Sequence, residues 1–149
     1  MSHSDGVAQW MTTVSTHLPH LSGPQARVLA LWSYGMVVAQ SCGITTVATL
    51  LGSLLHKRPA TVRQQLREWC YAAEDKKGPK RQEVEVTTCF APLLRWVLTW
   101  WAPEERRLVL ALDATTLGQR FTVLVISVVY RGCAIPVAWT VVGATTKGA

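Results

Sequence analysis

The sequence predicts a mixed α+β chain with helices first and strands last, and three observations carry that expectation. Apolar residues recur at helical spacing in 59–73 and 90–101. The runs "LVLAL", "FTVLVISVVY" and "AIPVAWTVV" are instead continuous, rich in β-branched residues and bounded by "DATTLGQR" and "RGC". Between the two textures lies "AEDKKGPKRQE", a charge cluster around Gly78 and Pro79 that reads as a linker. The expected organisation is a loose arm over 1–20, a helical region over 21–82, and a strand-bearing region over 83–149.

Each element has a local reason. Residues 1–22 are polar and irregular, a loose arm or a short helix around Val7 to Val14. A first helix is expected from Pro24 to Gln40, with Ser22 as its cap, Pro24 suited to the first turn and Gly43 closing it. Thr45 or Thr46 would cap a second helix, "VATLLGSLL". The basic turn "HKRPA" leads to a third helix, Pro59 to Ala73, where Val62, Leu66, Trp69 and Cys70 share one face. Arg63, Gln64 and Arg67 fall elsewhere on it, a solvated charged face or a binding face. Thr87 or Thr88 would cap a fourth helix, striped by Phe90, Leu93, Leu94, Val97, Leu98 and Trp101. Three strands then follow with short connections, which favours consecutive antiparallel pairing. Their unbroken apolarity predicts a sheet covered on both faces, and Pro136 predicts an edge or a strand start.

With 149 residues, 49% of them hydrophobic, and seven Trp, the chain has ample material for a core. Its formal charge of +6 points to an anionic partner. The charge is concentrated, with eight basic residues against three acidic ones between His56 and Arg81. The four cysteines form no C-x-x-C pair and read as reduced, buried thiols of a cytoplasmic protein. His17 and His20 flank Pro19, which disfavours a helical metal pair, and no signal-peptide pattern opens the chain. The stretch from Val28 to His56 lacks Lys, Arg, Asp and Glu and is long enough for a membrane span. Its centre, "QSCGITT", reads as a helix end and a new cap, so two buried helices are expected there. No nucleophile elbow, dinucleotide fingerprint or phosphate loop is present.

Two features carry candidate chemistry. Asp113 ends the run "LVLAL", and no Asp or Glu follows it up to Ala149. A carboxylate at a strand end is fixed by the backbone yet open to solvent, which suits metal binding. Asp also simply begins turns by bonding its own backbone. Residues 44–72 read as a helix-turn-helix, with "VATLLG" as the first helix and "TVRQQL" opening the second. The connection "SLLHKRPA" is longer than the usual turn, and the alternative is a plain three-helix bundle with a basic surface.

The stretch "LALDATTLGQRFTVLVISVVYRGCAIPVAWTVV" resembles the first three strands of the ribonuclease-H-like catalytic domain of DDE transposases of bacterial insertion sequences. "CFAPLLRWVLTWW" and "VRQQLREWCYAAEDKKGPKRQ" also resemble that family's N-terminal region. The resemblance implies that Asp113 is the first of three catalytic carboxylates, a ligand for Mg²⁺ or Mn²⁺ in cleaving and joining transposon ends. It implies that the N-terminal helices bind double-stranded DNA, with Arg58, Arg63, Arg67, Lys76, Lys77, Lys80 and Arg81 toward phosphates. The family's second Asp and its Glu lie beyond the third strand and have no counterpart here. The expectation is therefore an N-terminal fragment that binds DNA but does not cut it. A non-enzymatic DNA-binding regulator or transposition inhibitor built from the same helices is the alternative, and a membrane-associated protein is a third reading.

Overall fold

A computed structural model describes residues 3–78, 82–102, 104–105 and 107–143. They fall into two compact units, Met1–Val86 and Thr87–Ala149. In chain order come α1 (His3–His17), α2 (Gly23–Ala39), α3 (Ile44–Leu54), α4 (Pro59–Trp69), α5 (Phe90–Leu98), β1 (Val109–Leu117), β2 (Phe121–Tyr130) and β3 (Cys133–Gly143). Single turns of 3₁₀ helix stand at Ala73–Asp75 and Val86–Cys89. The architecture is mixed α+β, five helices followed by a three-stranded antiparallel sheet.

The first unit is a helical bundle. Its main core gathers Val7, Val28, Leu31, Val47, Ala48, Leu51, Val62 and Leu66, one or more from each of the four helices. Burying a side chain of Leu size stabilises the fold by about 1.5–3 kcal/mol. A second cluster joins Val14 and Leu18 to Ala26 and Ala30. Of the two expectations for this segment, a loose arm or a short helix around Val7 to Val14, the helix is found and is longer, with an apolar stripe at 7, 11, 14 and 18 against α2. Trp10 fixes it further, its Nε1–H donating to Ser33 Oγ at 2.8 Å.

Local chemistry explains the helix ends. The backbone N–H of Ser22 donates to Gln25 Oε1 at 2.9 Å, one half of a capping box, and Pro24 sits in the first turn. Helix α2 ends on Gln40 in the left-handed region, φ 48°, with the N–H of Ser41 reaching back to Met36 O at 3.1 Å. Gly43, expected to close α2, instead caps α3, and Thr45 and Thr46 lie inside that helix. Helix α4 stops at Trp69, earlier than the expected Ala73. Trp69 turns inward there, donating from Nε1 to Gln25 O at 3.0 Å.

The charge-free stretch 28–56 folds as two helices bent by 102°, and among the described residues no single helix is long and apolar enough to cross a membrane. Two glycines set the helix spacing. A Cβ on Gly35 would stand 2.7 Å from Val47 Cγ1 and 3.1 Å from Leu51 Cγ. A Cβ on Gly52 would stand 2.9 Å from the carbonyl oxygen of Lys57 and 3.2 Å from the Pro59 ring. The turn between α3 and α4, 55–58, is only four residues long, shorter than the expected eight-residue connection, because both helices extend into it.

In the second unit the strands run β1-β2-β3, each antiparallel to the next. The two-residue turn Arg131–Gly132 has φ of 47° and 81°, the left-handed pair that a tight hairpin requires. Between Ile126 and Ser127 the register shifts, so that Ala138 and Pro136 face consecutive β2 residues and Val137 is the extra one. Pro136 is tolerated beside this bulge on an edge strand, as its missing N–H predicts. Helix α5 places Val97 against Val128 and Val137, with Leu93, Leu94, Trp101 and Ile135 around them. The expectation of a sheet covered on both faces is not met among the described residues. Leu112 is 75% exposed, and Leu110, Leu124, Ile126 and Val141 are exposed too, because a nine-residue α5 covers only part of the sheet.

The cysteines are free thiols, as expected, but not buried: Cys42, Cys70 and Cys133 are exposed and Cys89 is intermediate. They stand in loops or at element ends, where no apolar stripe carries them inward. Partial burial raises the Cys70 thiol pKa, an effect the nearby Lys76 charge opposes.

Gly52→Ala is expected to lower stability by about 1–3 kcal/mol, since the turn carbonyl that would have to move is backbone. Gly23→Ala, with nothing near its Cβ position, is expected to be neutral or stabilising by up to about 1 kcal/mol. Urea unfolding of both variants measures the difference.

Candidate nucleic-acid interface

Helix α4 is the best-defined candidate. Val62 and Leu66 are buried to 2% exposure, and Trp69 packs beside them, so one face of the helix is fixed to the core. At about 100° per residue, the opposite face carries Ala60, Gln64 and Arg67, with Thr61 and Glu68 on one flank and Arg63 on the other. Ala60, Thr61, Gln64 and Arg67 are exposed. Arg58 caps the helix and is exposed, as is Lys57 in the turn before it. Arg63 is half-buried and borders a small groove with Thr45, Ala48 and Thr49 of α3 and Pro59 and Ala60 of α4. The side chains of Arg58, Arg63 and Arg67 therefore decorate one helix.

From its cap to Arg67, the charge on that helix has one sign. Between Gly6 and Arg67 the chain carries Arg27, Lys57, Arg58, Arg63 and Arg67 and no Asp or Glu. The first carboxylate after Asp5 is Glu68, and it accepts a hydrogen bond from Gln64 Nε2 at 2.9 Å. No carboxylate stands beside the amino-terminal half of α4 in sequence, so its cations are available to an anion.

Lys76 and Lys77 stand apart from this ridge. They border an open groove of about 630 Å³ with Ser22, Pro24 and Gln25 of the α2 start and Gln65, Glu68 and Trp69 of α4. Lys77 is exposed, whereas Lys76 is half-buried and donates from Nζ to Gln82 O at 2.6 Å. Lys80 and Arg81 lie outside the described residues. The seven cations expected to act together thus include three on α4 and two at a separate groove.

Asp113 stands at the centre of β1, the fifth of its nine residues, and not at the strand end where the sequence predicted it. The strand continues because Thr115 and Thr116 are β-branched and pair with Val123 and Thr122, leaving the turn to Gly118–Arg120. Asp113 is therefore no turn former. It is exposed, directly opposite Val125, which in turn faces Trp139 across β3. Among the described residues no group of three His, Cys, Asp or Glu could hold a metal ion. Asp113 alone does not fit a site for Mg²⁺ or Mn²⁺, which needs several oxygen ligands.

Gln64 and Glu68 are functional candidates that charge counting passed over. Their signal is the angle around α4, legible once Val62, Leu66 and Trp69 define its buried side. Comparison with known protein families, with curated proteins and with solved structures found no match to this chain.

Asp113 is the only charged residue between Leu108 and Leu117, and it interrupts an exposed apolar edge strand. A charge there opposes edge-to-edge pairing. Asp113→Val is expected to raise self-association, and Asp113→Lys to leave it unchanged, in sedimentation velocity at matched concentrations.

Proposed function

We propose that this protein binds double-stranded DNA through α3 and α4, acting as a helix-turn-helix. The observation that carries the reading is the outward face of α4. It presents Gln64 and Arg67 on a helix held by Val62 and Leu66, with Arg63 on its flank, Arg58 at its amino-terminal cap and no carboxylate from Gly6 to Arg67. A helix about 16 Å long fits lengthwise in the major groove, roughly 12 Å wide. The four-residue turn and the close approach at Gly52 support the motif, because they hold α3 and α4 as one unit. Arg58 at the helix start and Lys57 before it are placed to meet phosphates, which set register and affinity.

The family context we propose is that of the DDE transposases, supported by the motifs of 110–142 and by a three-stranded antiparallel sheet with a carboxylate on its first strand. In that context the sheet is the beginning of a ribonuclease-H-like domain, Asp113 is the first catalytic carboxylate, and the DNA is a transposon end. The residues of this chain do not complete the carboxylate set, since none follows Asp113. DNA binding through α4 is the activity that the residues of this chain support.

Fluorescence anisotropy with duplex DNA across a salt series tests the proposal. Affinity is expected to fall linearly with salt on logarithmic axes. Arg58→Ala and Arg67→Ala are each expected to weaken binding and to reduce the slope, by about 1 for each phosphate that is no longer neutralised. Binding that is absent, or indifferent to salt and to both substitutions, overturns it.

A further inference from the structure

We propose that Gln64 is the base-reading residue of this interface, with Glu68 holding it in the reading position and adenine as its target. The inference rests on the DNA-binding reading of α4 and adds which residue selects sequence.

Three observations converge on Gln64. Relative to Val62, Leu66 and Trp69, it lies within about 20° of the point opposite the buried stripe, so it projects furthest toward a partner. Its neighbour one turn back is Ala60, whose small side chain allows close approach to a base pair there. Gln64 is also uncharged on a face otherwise supplied with arginines. A neutral amide neutralises no phosphate charge, and its donor and acceptor together can pair with a base edge.

The hydrogen bond to Glu68 sharpens this. Gln64 Nε2 carries two N–H groups and gives one to Glu68 Oε1 at 2.9 Å. With the N–H anti to Oε1 given to Glu68, the syn N–H and the Oε1 acceptor remain side by side in one plane. That pair complements adenine in the major groove, the N–H toward N7 and the oxygen toward the N6 amino group. Guanine places an acceptor where adenine has its amino donor, and the Gln64 oxygen would face it.

Glu68 lines the groove of Lys76 and Lys77, and its place on α4 has a second consequence. It is the only carboxylate between Gly6 and Ala73, and it sits on the helix proposed to face a polyanion. A negative charge there lowers affinity for all DNA alike. It raises discrimination if it fixes an amide that must choose between bases, a trade of general affinity for specificity. Glu68 is thus a positioning residue that acts through Gln64.

The test is selection from a randomised duplex library with the full 149-residue chain, paired with anisotropy on random duplex at one salt concentration. The wild type is expected to enrich adenine at one position, by roughly tenfold over the other bases, the scale of one good bidentate pair. Gln64→Ala is expected to abolish that enrichment and to weaken binding to the selected duplex by roughly tenfold, the scale of the bidentate pair it removes. Gln64→Arg, which can still reach Glu68, is expected to move the preference to guanine. Glu68→Gln is expected to bind random duplex more tightly and to lose most of the adenine preference. Salt-dependent binding with no enriched position, or enrichment unchanged in Gln64→Ala, overturns this inference while the DNA-binding reading stands. Preference retained in Glu68→Gln overturns the positioning role. Failure of the wild type to bind duplex overturns both.

Discussion

The approach of α4 to α3 across Gly52 is the constraint on which the first unit depends. Only a residue without Cβ lets the Lys57 carbonyl and the Pro59 ring come this near to α3. That close approach shortens the turn to four residues and fixes how α4 leaves α3. Leu51 beside it is fully buried, and Val62 and Leu66 complete the same cluster from α4. Once the apolar side of α4 is committed to this core, its other side can only face outward. The outward face is where Gln64 and Arg67 stand. Core packing thus aims the functional residues.

The bundle is tied at its rim by few but specific polar interactions. Gln25 accepts from the Ser22 N–H and donates from Nε2 to Glu83 O at 3.0 Å, joining the α2 start to the chain that follows the linker. Trp69 donates to Gln25 O from the end of α4. One short stretch of α2 therefore gathers the cap of its own helix, the end of α4 and residue 83. These bonds each contribute roughly 1 kcal/mol, small beside the burial of the leucine and valine core but directional where burial is not.

The second unit is built on a different balance. A single short helix meets the sheet around Val97, Val128 and Val137, while Tyr130 donates to Trp100 O at 2.9 Å and stacks near Trp101. Away from α5, apolar side chains of all three strands stay in contact with water. Strand pairing and the Arg131–Gly132 hairpin hold the sheet's geometry, and Asp113 places a charge at the middle of its exposed edge strand. The sheet is well specified by its register yet only partly covered.

Much of this was legible in the sequence. The helix of Pro24, the break at "QSCGITT", the buried stripe of α4 and the antiparallel order of the strands follow from spacing, capping residues and β-branched runs, all local properties of the chain. The basic character of 56–81 follows from counting. Tertiary structure alone decided the rest. Residues 3–17 became a helix because α2 offers Ala26 and Ala30 as a groove for Val14 and Leu18, a partner no local pattern reveals. Asp113 moved from a turn to mid-strand because β2 supplies hydrogen-bonding partners through Phe121. The separation of Lys76 and Lys77 from the α4 arginines required knowing where the chain runs after α4. Sequence determines what each segment can form, and packing determines which face it shows.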